Sequence, residues 1–225
     1  METALIVGAG SGLSGSLARL LAGEGWQVAL AARDTDKLSS LKALNVKCDA
    51  TDAAQVERAF VSVEKKFGVP DLVVYNASYR TRGPFIELKA DEVKKTLEVS
   101  AYAGFLVAQA AAKRMLPRGS GAIFFTGASA SVKGYAQSAP FAMGKFALRG
   151  LAQSMARELA PQNIHVAHFV IDGGIQAGSD PRSAERGADG MLLPDEIARS
   201  YLAVYRQHRS AWSWELELRP WVEKF

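Results

Sequence analysis

Short apolar runs that alternate with helical patterns constrain this chain more than any other feature. TALIV (3–7) precedes a helix with Leu13, Leu17, Leu20 and Leu21 on one face, and WQVALAA (26–32) precedes a short polar helix read as N-capped by Asp34. NVKC (45–48) leads to Asp52 and an amphipathic helix carrying Val56, Phe60 and Val63. DLVVY (71–75) leads, after a loop, to a long helical region from about Asp91 to Met115. GAIFFT (121–126) and IHVAHFVI (164–171) flank a helix over 138–160, and a helix from about Asp195 and a strand near Leu216–Leu218 close the chain. The early runs are continuous rather than alternating, which burial on both faces requires. Strands separated by helices form βαβ units, and hence a mostly parallel sheet with right-handed crossovers. DGGIQAGSDPRSAERGADG (172–190) is the most irregular segment. At the C-terminal end of a strand it reads either as a lid over a ligand or as a surface connection.

A length of 225 residues suits one domain, residues 1–225, large enough to bury a core without staples. The one cysteine, Cys48, allows no internal disulfide and suits a reducing compartment. METALIVGAGSG runs into glycines too early for a signal peptide, and no apolar run is long enough to span a bilayer. Cytoplasm is therefore the expected location. The net charge of +4 is spread along the chain, with no basic block or aromatic ladder. Neither a nucleic acid nor a membrane is an expected partner, and no metal site is expected.

Between the first strand and the first helix lies VGAGSGLSG (7–15). Gly8, Gly10 and Gly12 permit a tight turn and let backbone N–H groups approach a diphosphate at the helix N-terminus. A glycine triplet also serves as an ordinary turn. Its place at the first crossover, directly before an amphipathic helix, favours nucleotide binding. The second strand ends in LAARD. A carboxylate there would accept the ribose hydroxyls of NAD, whereas a guanidinium would pair with a 2′-phosphate, so Arg33 argues for NADP.

The stretch SAPFAMGKFALRGLAQSMARELA (138–160) places Phe141, Lys145, Leu148, Ala152, Met155 and Leu159 on one helical face. A lysine in that apolar stripe is either a functional ammonium or a snorkelling side chain.

These motifs come in the order and spacing of the short-chain dehydrogenase/reductases, and the whole chain resembles that family. The resemblance rests on the glycine turn, Asp49, YNAS (75–78), GAIFFTGASAS (121–131), the Lys145 helix and DGGI (172–175). It implies a Rossmann-like, doubly wound parallel sheet of about seven strands in a three-layer αβα sandwich. It also implies that Asp49 meets the adenine, Asn76 holds the sheet together near the cofactor, and Lys145 binds the nicotinamide ribose. The implied cofactor contacts are Gly8, Gly10, Ser11, Gly12, Leu13, Arg33, Asp49, Asn76, Lys145, Gly173 and Ile175, for NADP(H).

Several chemistry-bearing positions of the family pattern hold other residues. Phe141 falls where the tyrosine of the Tyr-x-x-x-Lys pair stands, four residues before Lys145. Ala128 takes the place of the serine, with Ser129 next to it, and Ser100 takes the place of the helix-four asparagine. Ser14 replaces the third glycine, Asp172-Gly173 the Pro-Gly, and Ala177 the cofactor-side threonine. The candidate catalytic positions are accordingly Lys145, Ser129, Phe141 and Ser100.

Two readings follow. In one, an NADP-dependent oxidoreductase acts on a carbonyl or alcohol of small size, its proton coming from Ser129, Ser131, Tyr135, Tyr79, Tyr102 or a water held by Lys145. In the other, a sensor or assembly subunit binds NADP without turnover. The resemblance also implies a homodimer or homotetramer formed through the fourth and fifth helices. Ala142, Phe146, Ala147 and Gly150 supply a second apolar face there. AWSWELELRPWVEKF at the C-terminus, rich in tryptophan, reads as an interface or as packing of the last strand.

Overall fold

Each apolar run becomes a strand in the computed structural model, which describes residues 1–177, 180–187 and 189–223. The strands are β1 (Thr3–Val7), β2 (Gln27–Ala32), β3 (Leu44–Lys47), β4 (Leu72–Tyr75), β5 (Gly121–Thr126), β6 (Ile164–Ile171) and β7 (Glu215–Leu218). They form one parallel sheet in the order β3-β2-β1-β4-β5-β6-β7. The helices are α1 (Leu13–Gly23), α2 (Ala53–Phe67), α3 (Ala90–Leu97), α4 (Ala103–Arg118), α5 (Ala139–Leu159), α6 (Pro181–Arg186) and α7 (Pro194–Tyr205).

Two apolar clusters, one on each face of the sheet, make the doubly wound three-layer sandwich. Phe60, Val107, Leu148 and Ala152 of α2, α4 and α5 cover one face; Leu17, Leu21, Ile197 and Tyr201 of α1 and α7 cover the other. Every residue of β1, β4 and β6 is buried, Thr3 and the two histidines of β6 included, as non-alternating runs require. The strand order reverses between β1 and β4. In such sheets a ligand crevice opens at that reversal, beyond the strands' C-terminal ends.

Local chemistry sets the element ends. Asp52 caps α2, its carboxylate accepting the Ala54 and Gln55 N–H groups, while Lys65 and Lys66 sit in the last turn. The long region from Asp91 is not one regular helix: a π turn, Glu98–Tyr102, joins α3 to α4, and the Tyr75 hydroxyl donates to the Val99 carbonyl within it. Asp34 does not cap a helix. The segment after β2 is a single 3-10 turn, Asp36–Leu38, and Asp34 Oδ1 accepts the Asp36 N–H at 3.1 Å in an Asx turn.

The segment 172–190 is less irregular than its glycines suggest. It contains α6, with Asp180 as N-cap and Pro181 first in the helix, and a bridge between Ile175 and Leu192. Residues 178, 179 and 188 of that segment lie outside the described residues.

The C-terminal tryptophans divide. Trp212 stacks on His165 with ring centroids 4.6 Å apart, Trp214 lies under the Arg149 guanidinium, and Trp221 is exposed. Behind β7, Arg149 forks onto Glu215 at 2.6 and 2.8 Å, and Glu215 accepts from buried His168 at 3.1 Å. Burial pushes the His168 imidazole down to about 4.

Candidate active site

The C-terminal ends of β1 to β4 open onto a cleft of about 650 Å³ lined by Gly8, Arg33, Asp49, Asn76 and Ala77 among others. Its floor is the glycine turn. Gly8 has φ +79°, and a Cβ there would lie 2.3 Å from the Ala77 backbone nitrogen, so glycine is required both by conformation and by space. Gly10 and Gly12 differ in kind: a Cβ on either would meet nothing within 4 Å. They border open space. The first turn of α1 carries no acidic residue and no side-chain cap, which leaves its N–H groups to an anion. The turn and cleft thus fit the diphosphate of a dinucleotide.

Asn76 and Ser14 account for each other. The Asn76 amide donates to Ser14 Oγ at 2.6 Å, so the Ser14 hydroxyl holds the loop after β4 against α1. Asp49 folds back on Thr51, whose N–H and hydroxyl reach its Oδ1 at 3.0 and 2.8 Å. At the rim, Asp34 pairs with Lys37 at 3.3 Å, and Arg33 is exposed with no carboxylate partner among the described residues.

Beyond the cleft, α5 brings Lys145 to the end of β5. The lysine is 3% exposed, and its Nζ donates to the Thr126 carbonyl at 2.8 Å. It does not snorkel. Burial pushes its ammonium down to about 8. Phe141 lies one turn earlier, its ring centroid 5.9 Å from Nζ, with the Arg80 guanidinium 4.8 Å from the same centroid.

The other candidates separate by the work they already do. Ser131 Oγ, fully buried, accepts the Ala128 N–H at 3.1 Å and closes a 3-10 turn. Ser129, in the same turn, is half-buried and its hydroxyl makes no hydrogen bond among the described residues. Ser100 is buried against α5, where a Cβ on Gly144 would lie 2.8 Å from its own Cβ, and among the described residues its hydroxyl bonds only the Tyr79 backbone, at 3.4 Å or more. The Tyr79 hydroxyl donates to Glu92 at 2.6 Å. Tyr102 is exposed and stacks on Phe105, and Tyr135 is half exposed. Gly173 packs under Pro220, where a Cβ would come within 2.7 Å of Cδ, and Ile175 is held by its bridge to Leu192. Neither reaches the cleft lining that Gly8, Arg33, Asp49 and Asn76 share.

Comparison with known proteins decides the family. The sequence profile described as short chain dehydrogenase matches residues 2–181. The chain belongs to the short-chain dehydrogenase family. Among curated members it is 30% identical over 191 residues to the 3-oxoacyl-acyl-carrier-protein reductase MabA of Mycobacterium tuberculosis, a match covering 85% of this chain and 76% of that one. A solved short-chain dehydrogenase from Rhodopseudomonas palustris superimposes with a TM-score of 0.84 at 33% identity, over 98% of this chain and 99% of that one. An alcohol dehydrogenase from Thermococcus sibiricus, solved with 5-hydroxy-NADP, does so with a TM-score of 0.88 at 25% identity, over 100% of this chain and 98% of that one. As a short-chain dehydrogenase the chain is an oxidoreductase of the NAD(P)-using kind. No helix among the described residues is long and apolar enough to cross a membrane.

Sequence reasoning missed the arginines of the loop after β4. YRTRG carries two of them directly past a strand's C-terminal end, and that position was the available signal.

Proposed function

We propose that this short-chain dehydrogenase is an NADPH-dependent carbonyl reductase whose proton comes from Lys145 rather than from a tyrosine. The observation that carries the reading is the buried Lys145 ammonium, fixed on the Thr126 carbonyl at the end of β5 with a phenyl ring one turn away. NADPH, when bound, supplies the hydride. The chain supplies the rest. The α1 turn holds the diphosphate, Arg33 pairs with the 2′-phosphate, and Asn76 keeps the loop after β4 in place. Lys145 holds a proton at Nζ, and Ser129 Oγ is the unbonded hydroxyl at the same strand end that passes it, or a water does, to the substrate oxygen. Phe141 excludes water from one side of that position.

NADPH consumption with a panel of aldehydes, ketones and quinones, beside a fluorescence titration of the cofactor, tests the reading. Turnover of at least one member is the expected result. Bound NADPH with no turnover above background overturns catalysis.

The choice of NADP is tested by Arg33→Ala. Loss of one charge-assisted pair is expected to raise the KM for NADPH roughly 10- to 100-fold and to leave that for NADH within about twofold. Equal losses for both cofactors would remove Arg33 from phosphate recognition.

The same reading gives a homodimer or homotetramer in the cytoplasm. The outward faces of α4 and α5 support it, because Phe105, Met143 and Phe146 are exposed there. The buried Cys48, the chain's one cysteine, suits a reducing compartment.

A further inference from the structure

The loop after β4 carries charge that no acid answers. Arg80 is exposed, lies 4.8 Å over the Phe141 ring, and has no carboxylate partner among the described residues. Arg82, also exposed, has none; its Nε donates to Ser138 Oγ at 3.3 Å. Arg182 stands near enough for its charge, with that of Arg82, to disfavour a further cation at Arg80, whose guanidinium is held below its ordinary value by burial first and by these two neighbours next. Three acids of this region are engaged elsewhere. Asp180 takes Arg182, Asp172 takes Lys133 at 3.0 Å and Arg219 at 2.6 Å, and Glu92 takes the Tyr79 hydroxyl. Arginines left without partners beside one another are unfavourable in the empty site and favourable once an anion joins them.

Resting on the reductase reading, we propose that Arg80 is the anchor of an oxyanion subsite, so that the substrate is a ketone or aldehyde bearing a carboxylate or phosphate. The geometry sets the spacing. Arg80 and Lys145 address the same ring, the guanidinium 4.8 Å and the ammonium 5.9 Å from its centroid. The guanidinium carbon and the ammonium are thus at most about 11 Å apart, which bounds the length of a substrate that reaches both. The planar guanidinium stacks on Phe141 and keeps its N–H edge open for a two-point contact with an oxyanion. Arg82 and Arg182 add a field that strengthens capture at low salt.

Matched probe pairs test this: levulinate against methyl levulinate for carboxylate, and dihydroxyacetone phosphate against dihydroxyacetone for phosphate. The expected result is a higher kcat/KM for the charged member of at least one pair. Arg80→Gln should cut that preference roughly 10- to 100-fold, leave the neutral member unchanged, and show partial recovery in Arg80→Lys. The pair with the larger dependence on Arg80 identifies the oxyanion. Equal kcat/KM within both pairs, or a preference that survives Arg80→Gln, overturns the subsite.

Calorimetric titration of the four probes into wild type and Arg80→Gln separates this proposal from the reductase reading. Anion binding that depends on Arg80, with no turnover of any probe, upholds the subsite and overturns the reductase. Turnover of neutral probes with no anion binding does the reverse.

Discussion

Phe141→Tyr is expected to raise the rate of carbonyl reduction by ~10²–10⁴, the usual worth of a positioned general acid. The side chain at 141 is half-buried, so a phenol oxygen added to the ring reaches the open end of the site without demanding a new buried partner. Two cations already lie near the ring, Lys145 Nζ at 5.9 Å and Arg80 at 4.8 Å from its centroid, and both favour the phenolate. The new hydroxyl therefore has a lowered pKa, which eases proton donation and return near neutral pH. The measurement is kcat/KM for one ketone with both proteins at pH 7, together with thermal midpoints to show that the fold is unchanged. Equal rates would mean that the proton arrives by a route independent of position 141.

Lys145→Met is expected to abolish most turnover while leaving the protein as stable or more so. The ammonium is held down to about 8 from its ordinary 10.5 by burial, a displacement equivalent to about 3 kcal/mol. The sign follows from proton counting. Between pH 8 and 10.5 the unfolded chain keeps a proton on this amine that the folded chain has lost, so folding becomes more favourable as pH rises across that window. Below pH 8 both states are protonated and the cost of the buried charge is present in full. Methionine fills similar space with no charge, although it leaves the Thr126 carbonyl without its donor, which offsets part of the gain. Urea midpoints at pH 7, 9 and 10.5 for both proteins give the difference. Wild type should approach or overtake the variant as the pH rises. A variant that is less stable by the same margin at every pH would show a lysine held for structure alone. Activity in wild type should fall as pH rises through about 8, since the proton that the reaction consumes is then missing.

How much of this was legible beforehand differs by kind of residue. The strands were, because burial on both faces leaves a run that is largely apolar and does not alternate, as in TALIV and IHVAHFVI. Lys145 was legible as an exception to an apolar stripe. The π turn at Glu98–Tyr102 was not. It shifts the helical register by a single residue, within the tolerance of an apolar periodicity, and only the Tyr75 hydroxyl meeting Val99 marks it. Asp34 misled because an aspartate before a polar stretch serves an Asx turn as readily as a helix cap. In 172–190 the glycines outweighed a start signal that was present, Asp180-Pro181. The contact between Arg80 and Phe141 joins residues about sixty positions apart, and no local pattern carries it.

The bond between Asn76 and Ser14 limits how this chain can change. Ser14→Gly made alone would put a second kind of loss on one step: a glycine within α1, about 1 kcal/mol, and an amide stripped of its acceptor. An Asn76 replacement made first would leave the fully enclosed serine hydroxyl with nothing to receive. Any route from this version of the nucleotide loop to one with glycine at 14 therefore crosses a less stable intermediate, whichever step comes first. Engineers who want to exchange the loop should move both positions together, or stabilise the scaffold beforehand.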